Sequence, residues 1–428
     1  MKIRDRLEAC LAKIADPAGE GKRAFTKLYT EQARATADAQ DRMRAAGAPL
    51  GPLGGRIVSI KDLFDVAGEP TTAGSIALRD APPARHDAPA IARLRAAGAV
   101  IVGKTNMTEF AYSGIGMNPH YGTPGNPFDR ARIPGGSTSG GAVAVADGMS
   151  EITIGSDTGG STRIPAAFCG IVGLKPSQPR IPLDGAVPLS TTLDSIGPMA
   201  RSVADCALAD AIMAGDTLEA LEPAALPRLR LGLLKTLVLD GLDDTVSKAF
   251  DRALKALAPA RLADFTTELF APMIEVNARG GFTAAESFAW HRPLLEKRAK
   301  DYDPRVRGRI ERGALLSAAD YIEMKQERAR LVRAMDAALA DLDALVLPTT
   351  PVVAPRMDAL GADDDFMRIN LQVLRNTMFG NFFNLCAVSL PIPTDGLAVG
   401  LMLVGRHGSD KRLLRIAAAI EAALGNAR

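Results

Sequence analysis

Short β-branched runs alternate with helix-periodic stretches along this 428-residue chain, and that alternation restricts the fold more than any other feature. Residues 56–60, 99–102 and 152–154 read as strands, with helical patterns at 88–97, from about 107, at 141–148 and at 203–214. The start Asp87-Ala88-Pro89 suits a helix N-terminus, because proline tolerates only the first helical turn. Strands return at 344–347, 388–392 and 399–404, and a last helix opens at Asp410. Such alternation predicts an α/β sheet with helices on both faces. Ahead of it, Ile3, Leu7, Leu11 and Ile14 recur at helical spacing, a second helical stretch covers 24–46, and residues 48–55 form a loop. Residues 245–342 are mostly helical and richly charged, with one brief strand at 229–234 before them. We expect a single domain over 1–428, with N-terminal helices in 1–47 and a mostly helical segment at about 205–341 that walls the substrate side.

Composition removes several function classes. Glycine (40) and proline (28) make about 16% of the chain, below the level of low-complexity sequences. A formal charge of +2 supplies no electrostatic case for nucleic acid or an anionic membrane. The first ten residues are charged and lack the apolar core of a signal peptide. The longest apolar-looking uncharged run, 376–394, carries three Asn and two Pro, unlike a membrane span. Cys10, Cys169, Cys206 and Cys386 are widely spread and read as reduced, buried thiols. The expectation is a soluble cytoplasmic protein.

Gly98-Ala-Val-Ile-Val-Gly103-Lys104-Thr105 matches the nucleotide-binding P-loop expression letter for letter. A P-loop must bend so that its N–H groups wrap a phosphate, whereas Ala-Val-Ile-Val favours a strand. No apolar strand ending in Asp follows to hold Mg²⁺. A P-loop nucleotide-binding protein is therefore a remote alternative, and a buried strand the expectation.

Three segments carry candidate chemistry. In Val58-Ser-Ile-Lys61, a lysine ends an apolar strand. Pro134-Gly-Gly-Ser137-Thr-Ser-Gly-Gly141 and Gly155-Ser-Asp-Thr-Gly-Gly-Ser161-Thr-Arg163-Ile-Pro165 each place a serine behind a glycine pair. A solvated lysine and two flexible turns would explain these residues without chemistry. An acyl-transfer site also explains them: consecutive N–H groups at Thr158, Gly159, Gly160 and Ser161 can converge on one oxyanion, where a Cβ would obstruct the substrate carbonyl. Ten glycines lie within residues 133–173, about 24% there against 9% over the chain.

These segments resemble the amidase signature family. The resemblance extends over 134–176, the Lys61 segment, Asn118-Pro-His-Tyr-Gly-Thr-Pro-Gly-Asn-Pro127, Asp343-Ala-Leu-Val-Leu-Pro-Thr-Thr-Pro351 and Gly396-Leu-Ala-Val-Gly-Leu-Met-Leu-Val-Gly405. It implies a mixed, twisted central sheet covered on both faces, and a Ser–Ser–Lys triad. Carried over by residue, Ser161 matches the nucleophile, Ser137 the bridging serine after a cis peptide, and Lys61 the base. Ser137 and Ser161 are 24 positions apart, the family's interval. Ser139 departs from the usual pattern and competes for the bridging role. Asp157 and Arg163 match family positions and read as an ion pair bracing the loop. A lysine works as a base near neutral pH only if its pKa, ordinarily near 10.4, falls by about three units, and burial acts in that direction. A hydroxyl can accept one proton while donating another, so Ser137 can link Ser161 to Lys61.

The implied activity is hydrolysis of a small-molecule carboxamide through an acyl-enzyme, with no cofactor and no metal; a homodimer is a compatible assembly. The alternative is the A-type subunit of a glutamine-dependent tRNA amidotransferase that passes ammonia to a partner. Those subunits usually run longer and often carry Gln where this chain has Ile164. A Ser–His–Asp hydrolase is disfavoured by four scattered histidines (His86, His120, His291, His407) and no G-x-S-x-G elbow. Cys169 stands in an apolar setting that raises a thiol pKa. Arg132, Arg163 and Arg375 are candidates to hold a substrate carboxylate.

Overall fold

The computed structural model describes residues 1–425, which hold an eleven-stranded mixed sheet. In chain order the strands are β1 (Phe25–Leu28), β2 (Ile57–Lys61), β3 (Val100–Thr105), β4 (Ile152–Asp157), β5 (Val172–Lys175), β6 (Ser195–Ala200), β7 (Arg230–Leu234), β8 (Arg261–Phe265), β9 (Ala344–Pro348), β10 (Cys386–Ile392) and β11 (Val399–Gly405). Their order across the sheet is β1-β3-β2-β4-β6-β5-β10-β11-β9-β7-β8. β2 runs parallel to β3 and β4, and β7 parallel to β8 and β9. The remaining pairings are antiparallel.

Strand side chains alternate between faces, so one strand feeds two cores. Ala344 and Val346 of β9 join one buried cluster, while Leu345 and Leu347 join another. Helices Val203–Ala214 and Asp410–Gly425 cover the first face through Cys206, Ala209, Leu413, Ile416 and Ile420. On the opposite face, the small-residue helices Ser139–Ala146 and Arg163–Cys169 pack Ala142, Val143 and Ala166 with Met199. Each buried Val, Leu or Ile contributes about 1.5–3 kcal/mol.

Small residues also set a distance that matters for the site. A Cβ on Gly155 would lie 2.6 Å from Thr138 Oγ1, and one on Gly141 2.5 Å from Thr153 Oγ1. Glycine at both positions lets the start of the 139–146 helix lie against β4.

Several expectations need correction. No helix opens near 107: the segment makes only the 3₁₀ turn Glu109–Ala111, with Phe110 and Ala111 at φ 50° and 60°. Its backbone is claimed by loop partners instead, Met107 N by the Asn106 side chain and Thr108 N by Ser137 O. The 24–46 helix is interrupted, because residues 25–28 pair with the edge of β3 as β1, and the helix proper is Thr30–Ala45. Within 205–341 the expected strand at 229–234 is β7, and a second strand that was not expected, β8, pairs with it at the sheet edge. The P-loop-like run is β3, wholly buried. Its Lys104 donates to Pro70 O at 3.1 Å and lies 3.7 Å from Asp62, so it is already neutralised within the sheet. The four cysteines are buried and free. Among the described residues no helix is long and apolar enough to cross a membrane.

Candidate active site

β2 is flanked by β3 on one side and β4 on the other, so the chain runs from β2 to β3 in one direction and from β3 back past β2 to β4 in the other. Such a switch point, beyond the carboxyl ends of parallel strands, is where open α/β sheets form crevices. Lys61 is the last residue of β2, and Ser156 and Asp157 end the neighbouring β4.

Lys61 is fully buried, with Nζ 2.7 Å from Ser137 Oγ and 2.9 Å from Ser156 Oγ. No carboxylate forms an ion pair with it among the described residues. Burial pushes its pKa down to about 7, against the more distant pull of Asp194 and Asp157. Asp194 is also buried, which raises it to about 6, while hydrogen bonds from Thr158 Oγ1 and the N–H groups of Ser190 and Leu189 restrain the rise.

Ser137 follows a cis Gly136–Ser137 bond. Thr138 N donates to Ser161 O at 3.4 Å, which ties the two serine-bearing loops together. The Ser137 hydroxyl is bonded to Lys61 and, among the described residues, not to the Ser161 hydroxyl. Ser139 begins the next helix, and its buried hydroxyl has no partner among the described residues. Of the two competing serines, Ser137 is the one on Lys61.

The 158–162 turn is held by its carbonyls. Thr377 Oγ1 donates to Gly159 O at 2.6 Å and Ile164 N to Gly160 O at 2.7 Å. The N–H groups of Gly159, Gly160 and Ser161 meet no acceptor among the described residues. Gly160 has φ +142°, and a Cβ there would run into Thr377 Oγ1 and Ile164. Glycine at that position is thus demanded by the protein side of the turn, whereas the expected obstruction was of the substrate.

Asp157 and Arg163 form an ion pair. Both are fully buried, with Arg163 Nη2 2.8 Å from Asp157 Oδ1 and Nε 3.0 Å from Oδ2. Thr162 N and Asn381 Nδ2 donate to the same carboxylate. Burial alone would raise this carboxyl, but the adjacent Arg163 holds it well below the usual range. Asp157→Ala would strand a buried guanidinium, and we expect it to lower unfolding free energy by about 3–5 kcal/mol in urea. A loss under about 1 kcal/mol would remove the pair from the scaffold.

Ser161, Thr158 and Gly159 line a cavity of about 320 Å³ with Tyr112, Leu374 and Phe382. Lys61 and Ser137 lie outside its lining. No histidine lines it, and burial pushes the Cys169 thiol far above its ordinary range. Arg132, Arg163 and Arg375 are also absent from the lining, because each is engaged elsewhere: with Asp129 and Ala354 O, with Asp157, and with Asn376 and Val238 O. Arg309 and Arg312 line it instead. Sequence reasoning assigned no role to Ser156, Asp194, Thr377 or Asn381. Ser156 stands in the 155–165 segment, one residue before Asp157. Thr377 and Asn381 stood in the uncharged 376–394 run, where only their polarity marked them.

Comparison with known proteins places the chain in a class, the C–N amide hydrolases. The chain belongs to the amidase signature family, whose model, described as Amidase, matches residues 5–414. It is 36% identical to a 2-amino-5-chloromuconic acid deaminase of Comamonas testosteroni, covering 92% of this chain and 87% of that protein. It is also 36% identical to the A-type subunit of a glutamyl-tRNA(Gln) amidotransferase of Chloroflexus aggregans, covering 96% and 90% respectively. Among solved structures, an amidase superposes with a TM-score of 0.88 at 34% identity, covering 99% of this chain and 97% of the other.

Proposed function

We propose that the chain hydrolyses a small-molecule carboxamide to an acid and ammonia or an amine, with Ser161 as nucleophile, Ser137 as proton bridge and Lys61 as base. One observation carries this reading: Lys61 is wholly buried without a carboxylate partner among the described residues, and its Nζ lies 2.7 Å from Ser137 Oγ. A neutral amine there takes the Ser137 proton as Ser137 takes that of Ser161. The freed Ser161 oxygen adds to the amide carbon, and the C–N bond breaks once the nitrogen receives the proton back through Ser137. Water then cleaves the Ser161 ester, releasing the acid and restoring the hydroxyl. Negative charge on the carbonyl oxygen is answered by the N–H groups of Gly159, Gly160 and Ser161, with Thr158 at the edge of the turn. Preorganised donors of this kind are worth about 10²–10³ each in rate.

The purified chain is expected to release ammonia from one or more small aliphatic, aryl or carboxylated amides without any partner. The amidotransferase-subunit reading rests on the similarity to such subunits, and it predicts the opposite: no release from simple amides, and release from glutamine only when a partner chain is added. Ile164 points away from that alternative, since its side chain packs in an apolar cluster with Ile115, Ile133 and Phe168.

A further inference from the structure

We propose that Asp194 is a positioning residue for the hydrolysis: its carboxylate fixes the oxyanion turn through Thr158 and is the counter-charge to the ammonium that forms on Lys61. The inference rests on the reading above, in which Lys61 is the base. Asp194 immediately precedes β6, which pairs antiparallel with β4 so that Ser195 stands opposite Asp157. The start of β6 therefore lies at the same edge as the ends of β2 and β4, where Lys61 and Ser156 meet. Asp194 and Ser156 line one cavity of about 300 Å³, separate from the one over Ser161. The Asp194 carboxylate is buried and has no salt bridge among the described residues, although buried charges are ordinarily paired. It is held by neutral donors. Thr158 Oγ1 donates to Oδ1 at 2.5 Å, and Leu189 N and Ser190 N donate to Oδ2 at 3.0 Å each. The first of these bonds completes a series: Thr158 is fixed by Asp194, Gly159 by Thr377 and Gly160 by Ile164 N, successive residues of the turn that carries Ser161.

Charge accounts for the second role. The acids whose charge reaches Lys61 are Asp194 and Asp157. Asp157 is already neutralised by Arg163, with Lys175 beyond it, and Asp62, next in the chain, is occupied by Lys104. Two further acids stand around Asp194. Glu286 is engaged by Ser190 Oγ, Thr192 N and Tyr321 OH, and Asp184, on the lining of the shared cavity, is exposed to solvent. Asp194 is thus the buried acid near Lys61 that lacks a cation of its own among the described residues. Transfer of the Ser137 proton creates an ammonium in a buried site, and a fixed carboxylate beside that site lowers the cost. If Asp194 served only to close its own 189–194 turn, removing its charge would cost stability and leave the protonation of Lys61 unchanged.

Two variants of the full chain divide the roles. Thr158→Val keeps the carboxylate and removes its bond to the turn. Asp194→Asn has the same shape and keeps an acceptor for the two N–H groups, so it removes the charge and retains the fold. Thr158→Val is expected to lower kcat by about 10-fold, with KM within about twofold and the pH midpoint of kcat/KM in place. Asp194→Asn is expected to move that midpoint down by at least ~0.5 unit, because the ammonium loses its counter-charge. Undiminished kcat in Thr158→Val overturns the positioning of the turn. An unmoved or raised midpoint in Asp194→Asn overturns the counter-charge. A measurement without turnover separates this inference from the catalytic one. Lys61→Met is made in the wild-type and Asp194→Asn backgrounds, and the urea midpoint of each protein is read at about pH 6. The stabilisation by Lys61→Met is expected to be larger in the Asp194→Asn background, where the buried ammonium stands alone. That result with a wild-type kcat/KM profile flat through about pH 7 would overturn Lys61 as the base and keep Asp194 as its counter-charge. Equal stabilisation in both backgrounds, with a wild-type profile that rises near pH ~7, would overturn the counter-charge and keep the base.

Discussion

Ser161→Ala is expected to reduce amide turnover by at least ~10³-fold, and to abolish fluorophosphonate labelling, with little change in thermal stability. Removing a serine nucleophile commonly costs several orders of magnitude, and what survives reflects the oxyanion donors and substrate binding. The fold should tolerate the change because Ser161 serves the structure through its backbone: its carbonyl accepts from Thr138 N, while its side chain faces the cavity. Activity above ~1% of wild type would sink the assignment, since another group would then be forming the acyl intermediate. Ser139→Ala is the matched control. Its hydroxyl is buried with no partner among the described residues and makes no hydrogen bond to Lys61, so turnover should persist. Loss of labelling in the Ser139 variant instead would require the triad to be redrawn around that residue.

Local sequence patterns determined much of the sheet, while the three residues of the proposed triad were assigned by the family resemblance of the segments that hold them. β3, β9, β10 and β11 consist largely of buried β-branched or aliphatic residues, and such runs announce themselves. β6 does not, because Ser195–Ala200 contains a glycine and a proline and is a strand only by virtue of β4 and β5 on either side. β1 was hidden for a related reason: residues 25–28 adjoin good helix formers, and only the exposed edge of β3 draws them into extended pairing. The site divides the same way. Lys61, Ser137 and Ser161 stand out because glycine and a strand end surround them. The groups that shape their environment come from distant segments: Asp194 from the loop before β6, Thr377 and Asn381 from the stretch before β10, Arg309 and Arg312 from the helical excursion. No spacing rule links these residues to Ser161, and only packing of the 370–382 and 304–315 regions around the 158–161 turn joins them.

Lys61→Met is expected to remove turnover while making the protein more stable at pH 6. The amine is held at a pKa of about 7 in the folded state against an ordinary 10.5, chiefly by burial. Folding therefore disfavours the charged form by about 5 kcal/mol. The sign follows directly: between about pH 7 and 10.5 the unfolded chain binds more protons at this position than the folded one, so this residue makes stability rise with pH. Below pH 7 the cost of a buried ammonium is fully present, and methionine, similar in volume and uncharged, relieves it. Alanine would confuse the result by leaving a cavity beneath the two serine loops, with a cost of its own. Wild-type kcat/KM should rise with unit slope as pH climbs through about 7 and level off above it, because the neutral amine is the active base. A flat profile from about pH 6 to 9, or a midpoint near 10, would contradict a base at Lys61. Retained turnover in Lys61→Met would contradict it more directly, since Ser156 Oγ, at 2.9 Å the other hydroxyl on Nζ, cannot replace an amine as proton acceptor.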